Sequence, residues 1–207
     1  MKMEDAIWQA LVLSVQRFNE SSDPETLLCP RCNPPRNNTD WFAASERAIA
    51  YRLAFYLECE LRNLYLLGEQ GPLAVDCEYN RHFGEGKELE GDADRIRDVV
   101  LKARHRMLQA DDDGFYVFSV APDIVVHQRG VDVNNFLVVE VKKRSNTETE
   151  EYDALKLELF TKPKDEQRGY AYRFGAWVIA EDTCCPEKRC LRITKQFHDG
   201  VGKEYPQ

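Results

Sequence analysis

Three charged residues stand where a chain ordinarily places apolar ones. The stretch APDIVVHQRGVDVNNFLVVEVKKR, from Ala121 to Arg144, has Asp123 at the head of one apolar run and Glu140 and Lys142 near the end of another. In a strand, side chains two apart share a face, so Glu140 and Lys142 project together while Val139 and Val141 project to the other side. The same alternation groups Asp123 with Val125 and His127. Paired as an antiparallel hairpin, the two runs can bring Asp123 onto the face of Glu140 and Lys142. Two carboxylates beside an ammonium outline a magnesium site, because this small, hard cation takes one or two carboxylates and completes its octahedron with water and phosphate. A lysine there can hold a water and help deprotonate it, and a metal stabilises charge developing on a phosphate. The other reading is an edge hairpin whose charges face solvent, with Lys142, Lys143 and Arg144 as a solvated strand end.

The surrounding sequence supplies elements that can position these groups. A short amphipathic helix is expected over Ala6 to Phe18, with Ala6, Leu11, Leu13 and Val15 as its apolar residues. Residues 19–40, rich in Ser, Pro, Asn and Cys, read as an irregular connection. From Trp41, WFAASERAIAYRLAFYLECELRNLYLLG has apolar residues at three and four spacing, with Gly68 as its stop. PLAVDCEYNRHFG predicts a strand with Leu73, Val75 and Cys77 on one face. Residues 91–114 have helical propensity and mixed charge, and 87–120 read as an insertion. Strands follow at FYVFSV, DIVVHQ and NFLVVEVKKR, the last two joined by a Gly- and Asn-containing hairpin turn. A helix over TEEYDALKLELFTK and strands at YRFGAWVIAE and CLRITK complete an α/β chain: a mixed central sheet flanked by helices, with an N-terminal helical extension. One domain is expected over 1–207, since this length leaves little room for a second core.

Composition narrows the function classes. With 28 basic and 36 acidic residues the net charge is −8, so no global positive field draws nucleic acid indiscriminately. A local approach to phosphate through a cation stays open. No apolar run approaches the roughly 18 residues of a membrane span, and the start MKMEDAIWQALVLSVQRF is amphipathic rather than a signal peptide, so a soluble, cytoplasmic chain with reduced thiols is expected. GxSxG, P-loop and HExxH patterns are absent, which removes the commonest hydrolase and kinase readings.

Pro122 and Asp123, followed seventeen positions on by Glu140, Val141 and Lys142, resemble the PD-(D/E)XK signature of the restriction endonuclease-like nuclease superfamily. The runs CEYNRH, PDIVVHQRG, NFLVVEVKK, DALKL and YRFGAWV are also similar to small uncharacterised bacterial members of it. The match is short, and Glu85 and Lys87 in GEGK form a decoy outside any apolar strand. The resemblance implies a restriction endonuclease-like fold and a hydrolase that cuts phosphodiester bonds of DNA or RNA with Mg2+ or Mn2+. In that role Asp123, Glu140 and the main-chain oxygen of Val141 hold the metal, Lys142 positions the attacking water, and Glu46, on the helix before the sheet, orients a water or second ion. Asp153 and Lys156 match polar positions of the following helix, although their i, i+3 spacing equally reads as a surface ion pair. Nucleic acid, DNA above all, is then the partner, and a homodimer or partner subunit is expected if duplex cleavage needs two sites. Alanine at Asp123 or Lys142 is expected to abolish cleavage with the fold intact. The rival implication is a non-catalytic binding module that kept the scaffold, serving a defence or repair complex.

Other residues carry weaker signals. Glu78, with Tyr79 and Arg81, can line the same cleft or simply end a polar strand. His127 can contact a phosphate or serve as a structural histidine. Cys29 and Cys32 in CPRC are one half of a zinc knuckle, and Cys184, Cys185 and Cys190 offer the other half of a structural Zn2+ site; unpaired thiols are the alternative. Arg95, Lys102 and Arg106 can share one helix face as a substrate path, though neighbouring aspartates also make that face a solvated one.

Overall fold

The computed structural model describes the chain apart from Met1, residues 29–43, 68–71, 80, 83–84, 87, 92–95, 97, 100–108, 111–115, 132, 147–149, 165–169, 182–189 and Gln207. Helix α1 spans Met3–Glu20 and buries Ile7, Ala10, Leu11, Ser14, Val15 and Phe18, the stripe of a 3.6-residue period. It is longer at both ends than Ala6–Phe18, and Leu13 belongs to its outer face, 39% exposed. A π-helical turn, Pro24–Leu28, interrupts what reads as an irregular connection.

Helix α2 runs Glu46–Asn63, with the Ser45 side chain accepting a hydrogen bond from the Ala48 N–H as an N-cap. It ends before Gly68 is reached. Leu66 N–H donates to the Leu61 carbonyl and Tyr65 N–H to that of Arg62, while Tyr65 takes φ 56°, so a tyrosine supplies the left-handed closing residue expected of a glycine.

Six strands form the central sheet: β1 (Ala74–Cys77), β7 (Ile124–His127), β8 (Asn135–Lys143), β9 (Phe174–Ala180), β10 (Leu191–His198) and β11 (Val201–Glu204), adjacent in that order. Only β8 and β9 run parallel, joined by helix α3 (Glu150–Thr161); the other neighbours are antiparallel. A parallel pair needs such a crossover, whereas β7 and β8 need only a turn. Two layers pack on the sheet. One face, with Ile124, Val126, Leu137, Val139 and Val141, meets α1 and α2. The other, with Val125, Val138, Trp177 and Ile179, meets α3 through Leu155, Leu157 and Phe160. Leu73, Val75 and Cys77 all pack toward the first face, as their alternation requires.

The segment 87–120 is not helix alone. Its described residues include a separate sheet of β4 (Glu88–Gly91), β6 (Tyr116–Ser119) and β5 (Gln109–Ala110), so Tyr116–Ser119 of FYVFSV belong to that sheet and not to the central one. A two-stranded piece, β2 (Arg81–His82) with β3 (Glu85–Gly86), precedes it. Leu89, Ile96 and Val120 from this region share a buried cluster with Leu155 and Leu159 of α3. Helix α3 is therefore covered by residues of the 87–120 segment as well as by the central sheet, and most of its residues are buried, charged ones included.

Candidate functional site

Strand β8 outruns β7. The pairing Ile124↔Val139 is the last between them, and residues 140–143 continue with β9 alone. N–H and C=O groups alternate sides along a strand, so those of Val141 and Lys143 point to the side β7 has vacated. Side-chain carboxylates take the place of the missing strand. Asp123 Oδ2 accepts the Val141 N–H at 2.7 Å, and Glu46 Oε1 accepts the Lys143 N–H at 2.9 Å and Asn146 Nδ2 at 3.1 Å. Buried backbone donors must be satisfied, and this gives Asp123 and Glu46 a structural reason to be where they are. By the same alternation the Val141 carbonyl faces the Asp123 side.

Extending the β7–β8 register by one step sets Asp123 opposite Glu140, on the face covered by α3. There the charges alternate along a chain of contacts. Lys156 Nζ lies 2.5 Å from Glu140 Oε2 and 3.0 Å from Asp153 Oδ1; Lys142 Nζ lies 2.9 Å from Asp153 Oδ2 and 3.7 Å from Glu46 Oε2. Glu140, Lys142, Asp153 and Lys156 are all below 8% exposed. Asp153 and Lys156 are thus not a surface ion pair: their helix face is pressed onto the sheet, and each bridges to β8.

The electrostatics follow from this burial. Burial pushes the Asp123 carboxyl up to about 6, against the pull of the Lys156 ammonium and the Val141 hydrogen bond. Burial likewise drives Glu140 well above the ordinary carboxylate range, again opposed by Lys156. Asp153 goes the other way, because Lys156 and Lys142 together outweigh its burial. Lys156 is held above the ordinary lysine value: burial would lower it, but Glu140, Asp153 and Asp123 prevail. Glu140 Oε1 is buried without a hydrogen-bond partner among the described residues. A buried acceptor without a donor costs about 1–3 kcal/mol, more when charged, so this oxygen suits a ligand.

The fit to a divalent cation rests on that oxygen, in the field of the Asp123 carboxyl, together with the hard oxygens that Asp123 and Val141 offer. Among the described residues no three His, Cys, Asp or Glu side chains gather as a ligand cluster. The expected set has only two carboxylates and completes itself with a main-chain oxygen. The geometry also revises one expectation. Lys142 is buried between two carboxylates, so alanine there strips a charge partner from Asp153 and cannot leave stability untouched.

The remaining candidates lie apart from this constellation. Glu78, at φ 48°, pairs with Arg47, and its backbone N–H donates to the Asp123 carbonyl at 3.1 Å. It ties down the chain at Asp123 while its carboxylate turns to α2. His127 follows a bulge in the β7–β8 pairing and is 4% exposed; its Nε2 lies 2.9 Å from Asp76 Oδ2, and its ring meets Tyr79 edge-on at 4.6 Å. Asp76 also binds Arg129. His127 is therefore engaged by Asp76, a residue that sequence reading passed over although its alternation in β1 put it opposite Val75. Cys29, Cys32, Cys184 and Cys185 lie outside the described residues, as do Arg95, Lys102 and Arg106. Cys190 is buried beside β10 and is not disulfide-bonded; the Cys77 thiol is pushed up to about 11, chiefly by burial, which makes it a poor nucleophile. A groove of about 600 Å³ between α1 and β10, lined by Val12, Val15, Asn19, Leu191 and Ile193, belongs to the opposite face and brings no comparable charge cluster.

Among the described residues no helix is long and apolar enough to cross a membrane. No family model matches the chain, and neither a curated protein nor a solved structure is found to be similar to it.

Proposed function

We propose that the chain is a metal-dependent nuclease of restriction endonuclease-like fold that hydrolyses phosphodiester bonds of DNA or RNA. One observation carries the reading: Glu140 Oε1, buried and without a hydrogen-bond partner among the described residues, on a side chain that shares a sheet face with Asp123 where β8 runs free of β7. The order of α2, the hairpin β7–β8 and α3 supports it, since the signature resemblance implies a helix before and a helix after its two strands. Asp123 and Glu140, with the Val141 carbonyl, would hold Mg2+ or Mn2+. Such an ion supplies Lewis-acid stabilisation of charge on the phosphate and lowers the pKa of a water. Lys142 stands on the same face as Glu140 and holds the attacking water beside it. Glu46 keeps the end of β8 in place through the Lys143 N–H and stands 3.7 Å from Lys142, so it orients that lysine.

A second reading is favoured by one specific feature: each buried ammonium already has a carboxylate within 3.0 Å. A self-compensated site suits a non-catalytic module that kept the scaffold as a subunit or regulator. Incubation of single- and double-stranded DNA and RNA with Mg2+ or Mn2+ separates the two. Cleavage by the wild type that is lost in Glu140→Gln and Lys142→Gln establishes the nuclease; no cleavage of any substrate, with no Mn2+ bound, establishes the module.

A further inference from the structure

Two lysines stand in this site, and they do different things. Lys142 Nζ is held by Asp153 Oδ2 at 2.9 Å with Glu46 at 3.7 Å, while the acid that Lys156 grips, at 2.5 Å, is Glu140. We propose that Lys156 is a resident counter-ion of the site: its ammonium holds Glu140 while no metal is bound, and Glu140 becomes available to a divalent cation only as Lys156 withdraws from it toward Asp153. The inference rests on the nuclease reading of the same residues.

Three features of the site support the exchange. A 5% exposed ammonium already lies in the field of Glu140, Asp153 and Asp123, the three carboxylates that make this face attractive to cations. A second cation on Glu140, a few ångströms from that ammonium in a region of low dielectric, meets strong repulsion, so the two compete for one position. Withdrawal is also feasible. Asp153 Oδ1, 3.0 Å from Nζ and on the same helix, keeps a salt bridge to Lys156 after Glu140 is released, and the Tyr152 ring, 5.2 Å from Nζ, offers a cation–π contact on the helix side. The ammonium thus leaves Glu140 without becoming a lone buried charge. Metal affinity in this chain is set by Lys156 as well as by the ligands themselves.

The test is Mn2+ binding to the full chain in chelator-treated buffer, by calorimetry, for wild type, Lys156→Gln, Lys156→Arg and Glu140→Gln. Trp177, the neighbour of Glu140 on β9, gives a second readout through its fluorescence. Lys156→Gln is expected to bind Mn2+ at least about tenfold more tightly than wild type, since the competing charge is gone. Lys156→Arg is expected to stay within about twofold of wild type, because it keeps that charge. A merely structural lysine predicts the reverse, weaker binding once it is removed. Equal or weaker binding by Lys156→Gln, with binding abolished in Glu140→Gln, overturns the counter-ion role and leaves the metal site standing. No Mn2+ bound by either wild type or Lys156→Gln overturns both. Should Lys156→Gln unfold in the absence of metal, thermal melts decide: Mn2+ is expected to raise its Tm more than that of wild type, and an equal or smaller rise overturns the proposal.

Discussion

Replacing Asp123 by asparagine should make the metal-free protein more stable at neutral and alkaline pH, and hardly more stable in acid. Burial moves this group from its ordinary value of 3.8 to about 6. Its protonated form therefore stabilises the fold: that contribution is fully present below pH 3.8 and is lost as pH rises through about 6. At 1.36 kcal/mol per pH unit the loss amounts to about 3 kcal/mol by pH 8. Asparagine does not titrate and retains a carbonyl oxygen for the Val141 N–H, so Asp123→Asn escapes the loss. In chelator at pH 8 the variant should exceed wild type by up to about 3 kcal/mol, or on the order of 6–12 °C in Tm for a chain of this size. At pH 4 the advantage should be nearly gone. Differential scanning calorimetry from pH 4 to 8, without and with Mn2+, measures both arms. The cation should raise the wild-type Tm and leave the variant's unchanged, because the costly ionised carboxylate is what the cation neutralises. A stability difference that is the same at pH 4 and pH 8 would refute the link between burial and titration at Asp123, whatever the metal does.

Other substitutions test the supporting contacts. Lys142→Ala should destabilise the chain by about 3 kcal/mol, the low end for breaking a buried ion pair because Lys156 still faces Asp153; chemical denaturation at pH 7 reads this directly. Asp76→Asn should cost about 2 kcal/mol at pH 7, since it weakens hydrogen bonds to the Arg129 guanidinium and to His127. Burial would raise the Asp76 carboxyl, but those hydrogen bonds hold it well below its ordinary 3.8, so the wild-type advantage exists above that pH and should fade as pH falls below it in acid melts. Gly175→Ala should destabilise by about 1–3 kcal/mol in the same denaturation assay. An added Cβ there would lie 3.0 Å from Phe197 Cβ of β10 and 3.2 Å from Thr161 Cγ2 of α3.

The hairpin was legible because its information is local. Near-continuous apolar runs in DIVVH and NFLVVEVKK mark strands covered on both faces, the alternation of side chains along them sets one face for α1 and α2 and the other for α3, and a Gly- and Asn-containing turn joins them. The same alternation put Glu140 and Lys142 on one face and left Lys143 off it. Strand β11 escaped sequence reading even though Asp199-Gly200 marks its turn, with both residues at positive φ, because VGKE is exposed throughout and has no apolar alternation to betray it. Leu13 was misassigned for a related reason: an apolar residue on a surface helix does not by itself declare which face is covered.

The sequence by itself determined which residues could form a charged constellation, since residue type and a period of two are properties of the chain. Whether those charges are exposed or buried was decided by tertiary structure. The i, i+3 pair Asp153 and Lys156 looks like ordinary surface decoration until β8, β9 and the 87–120 sheet enclose α3 and leave the pair facing Glu140 and Lys142. Asp123 and Glu46 acquire their backbone partners only because β8 projects past β7, a difference in strand length that arises when the strands pair. Burial then turns spacing into chemistry. An alternating row of charges costs little in water, but under a helix it yields a carboxyl pushed up to about 6 and a buried carboxylate oxygen without a hydrogen-bond partner among the described residues.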